Sequence, residues 1–92
     1  MIVVTSTYLK PREEMDALLA EHAQWLKAQH EAGYFISSGS NLARTGGAIL
    51  AQGLGRAALE ALLATAPLAL AGAIRYELTE MNHSTENPQE NA

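Results

Sequence analysis

The chain opens on IVVTSTY, Ile2 to Tyr8, a run dense in β-branched residues that predicts a strand. The pattern then changes period. Met15, Leu18, Leu19, His22, Trp25, Leu26 and Gln29 follow the i, i+3, i+4, i+7 spacing of one helical stripe, with His22 and Gln29 as its polar members. Pro11 suits the first turn of this helix, where a missing N–H is not needed, and Glu13, Glu14 and Asp16 suit the positive end of its dipole. Gly33 is placed to end it. A second strand is predicted at Tyr34 to Ser38, a reversing loop at Gly39 to Gly47, and a short third strand at Ala48 to Gln52. Arg56 to Thr65 carries Leu59, Leu62 and Leu63 on one face and predicts a second helix. Ala66-Pro67 interrupts it, with one further turn at Leu68 to Gly72. Ile74 to Glu80 alternates, Ile74, Tyr76 and Leu78 against Arg75, Glu77 and Thr79, as does a strand buried on one side. After Met81 no large apolar residue remains, which predicts a folded domain over residues 1–80 and a disordered tail over 81–92.

The predicted order is β-α-β-β-α-β, an α+β arrangement of the ferredoxin-like type with a four-stranded antiparallel sheet. Each helix has a single apolar stripe, so both must cover the same face of the sheet. The other face is then uncovered. A second copy of the chain is its economical cover, and two such sheets face to face form a dimeric α+β barrel.

Composition narrows the partners. The chain has 92 residues, enough for one domain, and a net charge of −4 with only six Lys and Arg. It has no basic stripe for nucleic acid, no polybasic membrane contact and no apolar run approaching a membrane span. The absence of cysteine excludes disulfides, thiolate nucleophiles and Cys-based zinc sites. Met1 leads directly into the first strand without a signal-peptide pattern, so a cytoplasmic protein is expected.

Few residues carry recognisable chemistry. His22, inside an apolar stripe, suits either a general acid/base tuned by partial burial or a packed core histidine. His30 and His83 do not have metal-ligand spacing relative to it, so neither a metal nor another cofactor is expected, and His30 reads as a solvated helix residue. Ser37, Ser38, Ser40 and Asn41 can donate to a carboxylate or lactone oxygen, or simply serve the turn. Arg44 can hold a carboxylate through two parallel hydrogen bonds. Trp25 is expected in the core, and Tyr34 at a barrel-facing or interface position, where it can also line a ligand site. Arg75 and Glu77 point outward together, as a cross-strand or solvated pair or as lining of a barrel.

The opening IVVTSTYLKP, the segment LLAEHAQWLKAQHEAGYFISSG, the loop RTGGAILAQG, the helix ALEALLA and the close AGAIRYELTE together resemble the YCII-related (YciI-like) family. The resemblance spans Ile2 to Glu80 and rests on the order and spacing of His22, Ala32-Gly33, Ser38-Gly39, Gly46-Gly47 and Ala71-Gly72. It implies a dimeric α+β barrel. For some relatives it also implies ring-cleavage or lactone chemistry, including loss of halide, in which a histidine matched by His22 works with an aspartate. This chain departs from the pattern after the second helix. Where the family usually reads Asp-Pro followed by an aromatic residue, it has Ala66-Pro67-Leu68.

Two classes of function follow. One is a small cofactor-free enzyme acting on an aromatic-derived acid or lactone, with His22 moving the proton and Ser38, Arg44 and Tyr34 binding the substrate. The other is a non-catalytic ligand-binding or assembly module that has lost the family's aspartate.

Overall fold

A computed structural model describes residues 1–81. Strand β1 (Ile2–Tyr8) leads into helix α1 (Arg12–Glu31), followed by β2 (Phe35–Ser40), β3 (Gly46–Ala51), α2 (Arg56–Leu63), the single turn α3 (Pro67–Leu70) and β4 (Ile74–Glu80). The strands form one sheet in the order β2-β3-β1-β4, and every adjacent pair is antiparallel. This is the α+β, ferredoxin-like topology that the sequence predicts. Met81 follows β4 and donates its N–H to the Met1 carbonyl at 2.9 Å. The rest of the tail expected to be disordered, His83 included, lies outside the described residues.

The helical stripe is realised: Met15 and His22 are buried, and Leu18, Leu19, Trp25, Leu26 and Gln29 half-buried. One part of the core gathers Ile2, Val4, Phe35, Ile49, Ala51, Leu59 and Leu63 beneath α1 and α2. Another joins Met15, Leu68, Ala73 and Ile74 where α1 meets α3. Trp25 ties the helices together as well as packing. Its indole N–H donates to Thr65 Oγ1 at 3.0 Å, and the Thr65 hydroxyl donates to the Leu62 carbonyl at 2.6 Å. Pro11 is the residue before the first helical turn, with extended backbone, and Pro67 opens α3 after Ala66.

The hairpin between β2 and β3 is tighter than expected. The predicted loop from Gly39 to Gly47 shrinks to residues 41–45, because Gly39, Ser40, Gly46 and Gly47 all pair within the sheet. Glycine is a poor strand former, so the sequence pattern hides these pairs. The structure supplies the reason for the two later glycines. A Cβ at Gly46 would fall on the Ser6 carbonyl, and one at Gly47 on the Gly39 carbonyl.

A second irregularity decides which side chains meet. The pairing of β2 with β3 slips between Phe35 and Ser37, leaving Ile36 exposed. Such a bulge inserts one residue and reverses the facing of those that follow. Ser38 and Ser40 thereby lie opposite Ile49 and Gly47, on the face covered by the helices. The opposite face carries Val3, Thr5, Thr7, Ala48 and Leu50, with Arg75 and Glu77 along its β4 edge.

Candidate active site

Between α1 and the sheet, reaching residues of all four strands, lies a cavity of about 310 Å³. Its lining includes Leu19, His22, Ala23 and Leu26 of α1, and Ser6, Tyr8, Ser38, Ser40, Ile49, Ile74 and Tyr76 of the strands. The local reason is plain: β2 and β3 present only serine and glycine over their shared outer half, so no bulky side chain fills the space under α1. At its outer end a second compartment of about 340 Å³ shares Tyr8, Leu19 and Ser40 with the first, and is otherwise lined by Lys10, Arg12, Met15, Arg44 and Thr45.

His22 projects from the second turn of α1's apolar stripe and is 9 % exposed. Its ring stacks on Trp25 with centroids 5.7 Å apart. Its Nδ1 is buried and finds no partner among the described residues. Burial disfavours the charged ring, so its pKa lies below the usual 6.5 and the neutral form prevails at pH 7. The Tyr76 hydroxyl, across the cavity on β4, is likewise buried without a partner. Burial first, and the nearby Tyr8 second, push this phenol up to about 12, so it remains a proton donor throughout the neutral range. An unpartnered buried polar group costs roughly 1–3 kcal/mol. Both residues line the same cavity.

Ser38 lines the cavity, and its hydroxyl lies 2.8 Å from His30 Nε2. This corrects the expectation for His30, which is not a solvated residue. It packs edge-on against Phe35 with centroids 6.0 Å apart and fixes the Ser38 hydroxyl. The i+8 spacing of His30 from His22 places both on the same side of α1, which is the signal that the reading for metal spacing overlooked. Arg44 stands at the mouth with φ +59, a left-handed conformation unusual for a residue with a side chain. The turn that holds it there is clasped by Asn41. Its Oδ1 accepts from the Thr45 N–H at 3.0 Å, and its amide donates to Thr45 Oγ1 at 3.1 Å. Tyr8 N–H then donates to the Thr45 carbonyl at 2.9 Å, anchoring the turn to β1.

Tyr34 does not join this group. It packs with Trp25 and Leu54 against the other part of the core, and its carbonyl accepts from Gln52 N–H at 2.9 Å. It sits before the bulge, at the far end of β2. Ala66, where the resemblance implies an aspartate, is fully buried ahead of α3 and lines neither compartment. Among the described residues, no Asp or Glu lines either one. Among the described residues, no three His, Asp or Glu side chains are grouped as metal ligands, and no helix is long and apolar enough to cross a membrane.

A βαββαβ chain with a four-stranded antiparallel sheet and a cavity under its first helix is a small α+β domain of the ferredoxin-like class. The chain belongs to the YCII-related domain family, whose model matches residues 1–82. Among solved structures it resembles 5-chloro-2-hydroxyhydroquinone dehydrochlorinase from Burkholderia phenoliruptrix, determined in complex with 2,5-dihydroxybenzoquinone. The TM-score is 0.74 at 14 % identity, over 91 % of this chain and 96 % of that one, which establishes a shared fold. No curated protein matches the sequence.

Proposed function

We propose that the chain is a small enzyme that moves a proton on an aromatic-derived acid or lactone, with His22 as the proton carrier. The observation that carries this is the pair of unpartnered buried groups, His22 Nδ1 and the Tyr76 hydroxyl, in residues lining one cavity from opposite sides. Neutral His22 is a base at pH 7, and a phenol held near 12 is a hydrogen-bond donor to a carbonyl oxygen that gains charge. His22 takes a proton from carbon beside the carbonyl, and the electron pair enters the enolate. In an isomerisation the same proton returns at another carbon. In loss of a hydrogen halide the electron pair forms a double bond, the carbon–halogen bond breaks and halide leaves. Ser38, fixed by His30, contacts the substrate's second oxygen. That a structural neighbour is a dehydrochlorinase supports this class of chemistry.

The lack of any carboxylate in the lining, with Ala66 where the family has aspartate, favours a second reading: a binding module that retains the cavity without turnover. Exchange of carbon-bound hydrogen in D2O, followed by NMR on unsaturated lactones and 2,5-dihydroxybenzoquinone, separates the two. The enzyme reading expects exchange to fall by about 10²-fold or more in His22→Gln, the usual size of a general base's contribution. Ligand shifts at the cavity without any acceleration of exchange would leave the binding module.

We also infer that two copies pair through the outer sheet face, where Val3, Ala48 and Leu50 have no covering element. Light scattering is expected to give the mass of two chains, and Leu50→Lys to give the mass of one. A monomeric wild type at high concentration would remove the pairing.

A further inference from the structure

The outer compartment has an unusual charge. The protein is acidic, with ten Asp and Glu against six Lys and Arg. Yet three of those six cations, Lys10, Arg12 and Arg44, line this one mouth, and no acid does. Arg12 has Asp16 at 3.9 Å, with both side chains more than half exposed, so that its charge is weakly compensated. Among the described residues neither Lys10 nor Arg44 has a carboxylate within ion-pairing distance. Ser40 and Thr45 add hydroxyls beside them. The cations come from two separate chain segments, the β1–α1 connection with the first residue of α1 and the β2–β3 turn, and Arg44 of the second is held in a backbone conformation that glycine would adopt freely. The Asn41 clasp and the Tyr8 N–H hold the turn in that conformation, which fixes where the Arg44 side chain leaves the backbone.

We propose that this mouth is an anion subsite, and that the cleft as a whole takes an aryl-alkyl carboxylate. The carboxylate rests among Lys10, Arg12 and Arg44, and the ring passes Tyr8 and Leu19 to lie against Leu26, Ile49 and Ile74 beside His22 and Tyr76. This rests on the cavity being the ligand site proposed above, and adds the substrate's charge and length. The two compartments share Tyr8, Leu19 and Ser40 and are otherwise lined by different residues, so the proposal gives the ligand a short arm between ring and carboxylate.

The test titrates the full chain with benzoate, 3-phenylpropanoate and 3-phenylpropanamide. It follows the His22 ring, the Trp25 indole N–H and the Arg44 side-chain N–H by NMR. The expected result is that 3-phenylpropanoate binds at least about tenfold more tightly than either the amide or benzoate at low salt, and that added salt shrinks this gap. Arg44→Gly removes the guanidinium while relieving the left-handed strain, so the variant stays folded. It should lose most of the preference for acid over amide, and Lys10→Gln part of it, with amide affinity unchanged in both. Equal binding of acid and amide to wild type would overturn the anion subsite while leaving the cavity as a ligand site. Failure of all three probes to shift the His22 ring would overturn both.

Discussion

Replacing His22 by leucine is expected to make the protein more stable and functionally silent at once. The buried Nδ1 has no partner, so exchanging the imidazole for an apolar side chain of similar size removes an unsatisfied polar group. A gain of about 1–2 kcal/mol follows from that mechanism, or roughly 4–16 °C in melting temperature for a domain of this size. The gain depends on pH. Because burial lowers the folded-state pKa of His22 below 6.5, the unfolded chain binds the proton more readily. The wild type therefore holds its full stability above about 6.5 and loses it as pH falls through the window below that value. His22→Leu should flatten this loss, so its advantage grows toward acid. Urea midpoints at a series of pH values check both points. Loss of ligand-induced shifts together with higher stability is the pattern of a site that trades stability for chemistry. A leucine variant less stable than wild type across the whole range would show instead that the ring is a satisfied core residue.

Gly46→Ala is expected to cause the largest loss of stability of any single methyl addition in the sheet. The new Cβ would fall on the Ser6 carbonyl, with the Ser6 carbonyl carbon 2.8 Å and Thr7 Cα 3.0 Å away. All three atoms belong to the backbone of β1, which pairs with both β3 and β4 and cannot yield as a side chain would. Overpacking costs up to about 3 kcal/mol where neighbours relax, and more where they do not. That is a large fraction of the roughly 5–15 kcal/mol that holds a domain folded. Gly39→Ala is the control, since nothing lies within 4 Å of its Cβ. Its change should stay within about 0.5 kcal/mol. The damage should also reach the site, because Gly46 adjoins the Thr45 carbonyl that Tyr8 N–H binds and the turn that carries Arg44. A Gly46→Ala protein with the wild-type midpoint would mean that β1 and β3 do not approach as closely as the register requires.

Much of this molecule was legible from periodicity alone. The 3.6-residue stripe from Met15 to Gln29, the β-branched run of β1 and the alternation of β4 each follow from which side chains must leave water. The order of those elements then allowed few topologies, and His22 stood out because a polar ring interrupted an apolar stripe.

What the sequence concealed lies around β2 and β3. The bulge at Ile36 turns Ser38 and Ser40 toward α1. A bulge has no side-chain signature in FISSGS, because it depends on how that strand registers against its neighbour. Gly46 and Gly47 look like turn residues until the backbone of β1 and β2 is seen pressing on them. His30 passed for a surface residue because its partner, Ser38, is contributed by a different element. Tyr76 showed only as an inward strand position, without sign that its hydroxyl would lack a partner. The same holds for the meeting of Arg44 with Lys10 and Arg12, which lie more than thirty residues before it in the chain. Local burial preferences are written in the order of residues and so determine the elements and their inward faces. Pairing register and the meeting of separate segments are long-range properties, and only the folded structure decided them.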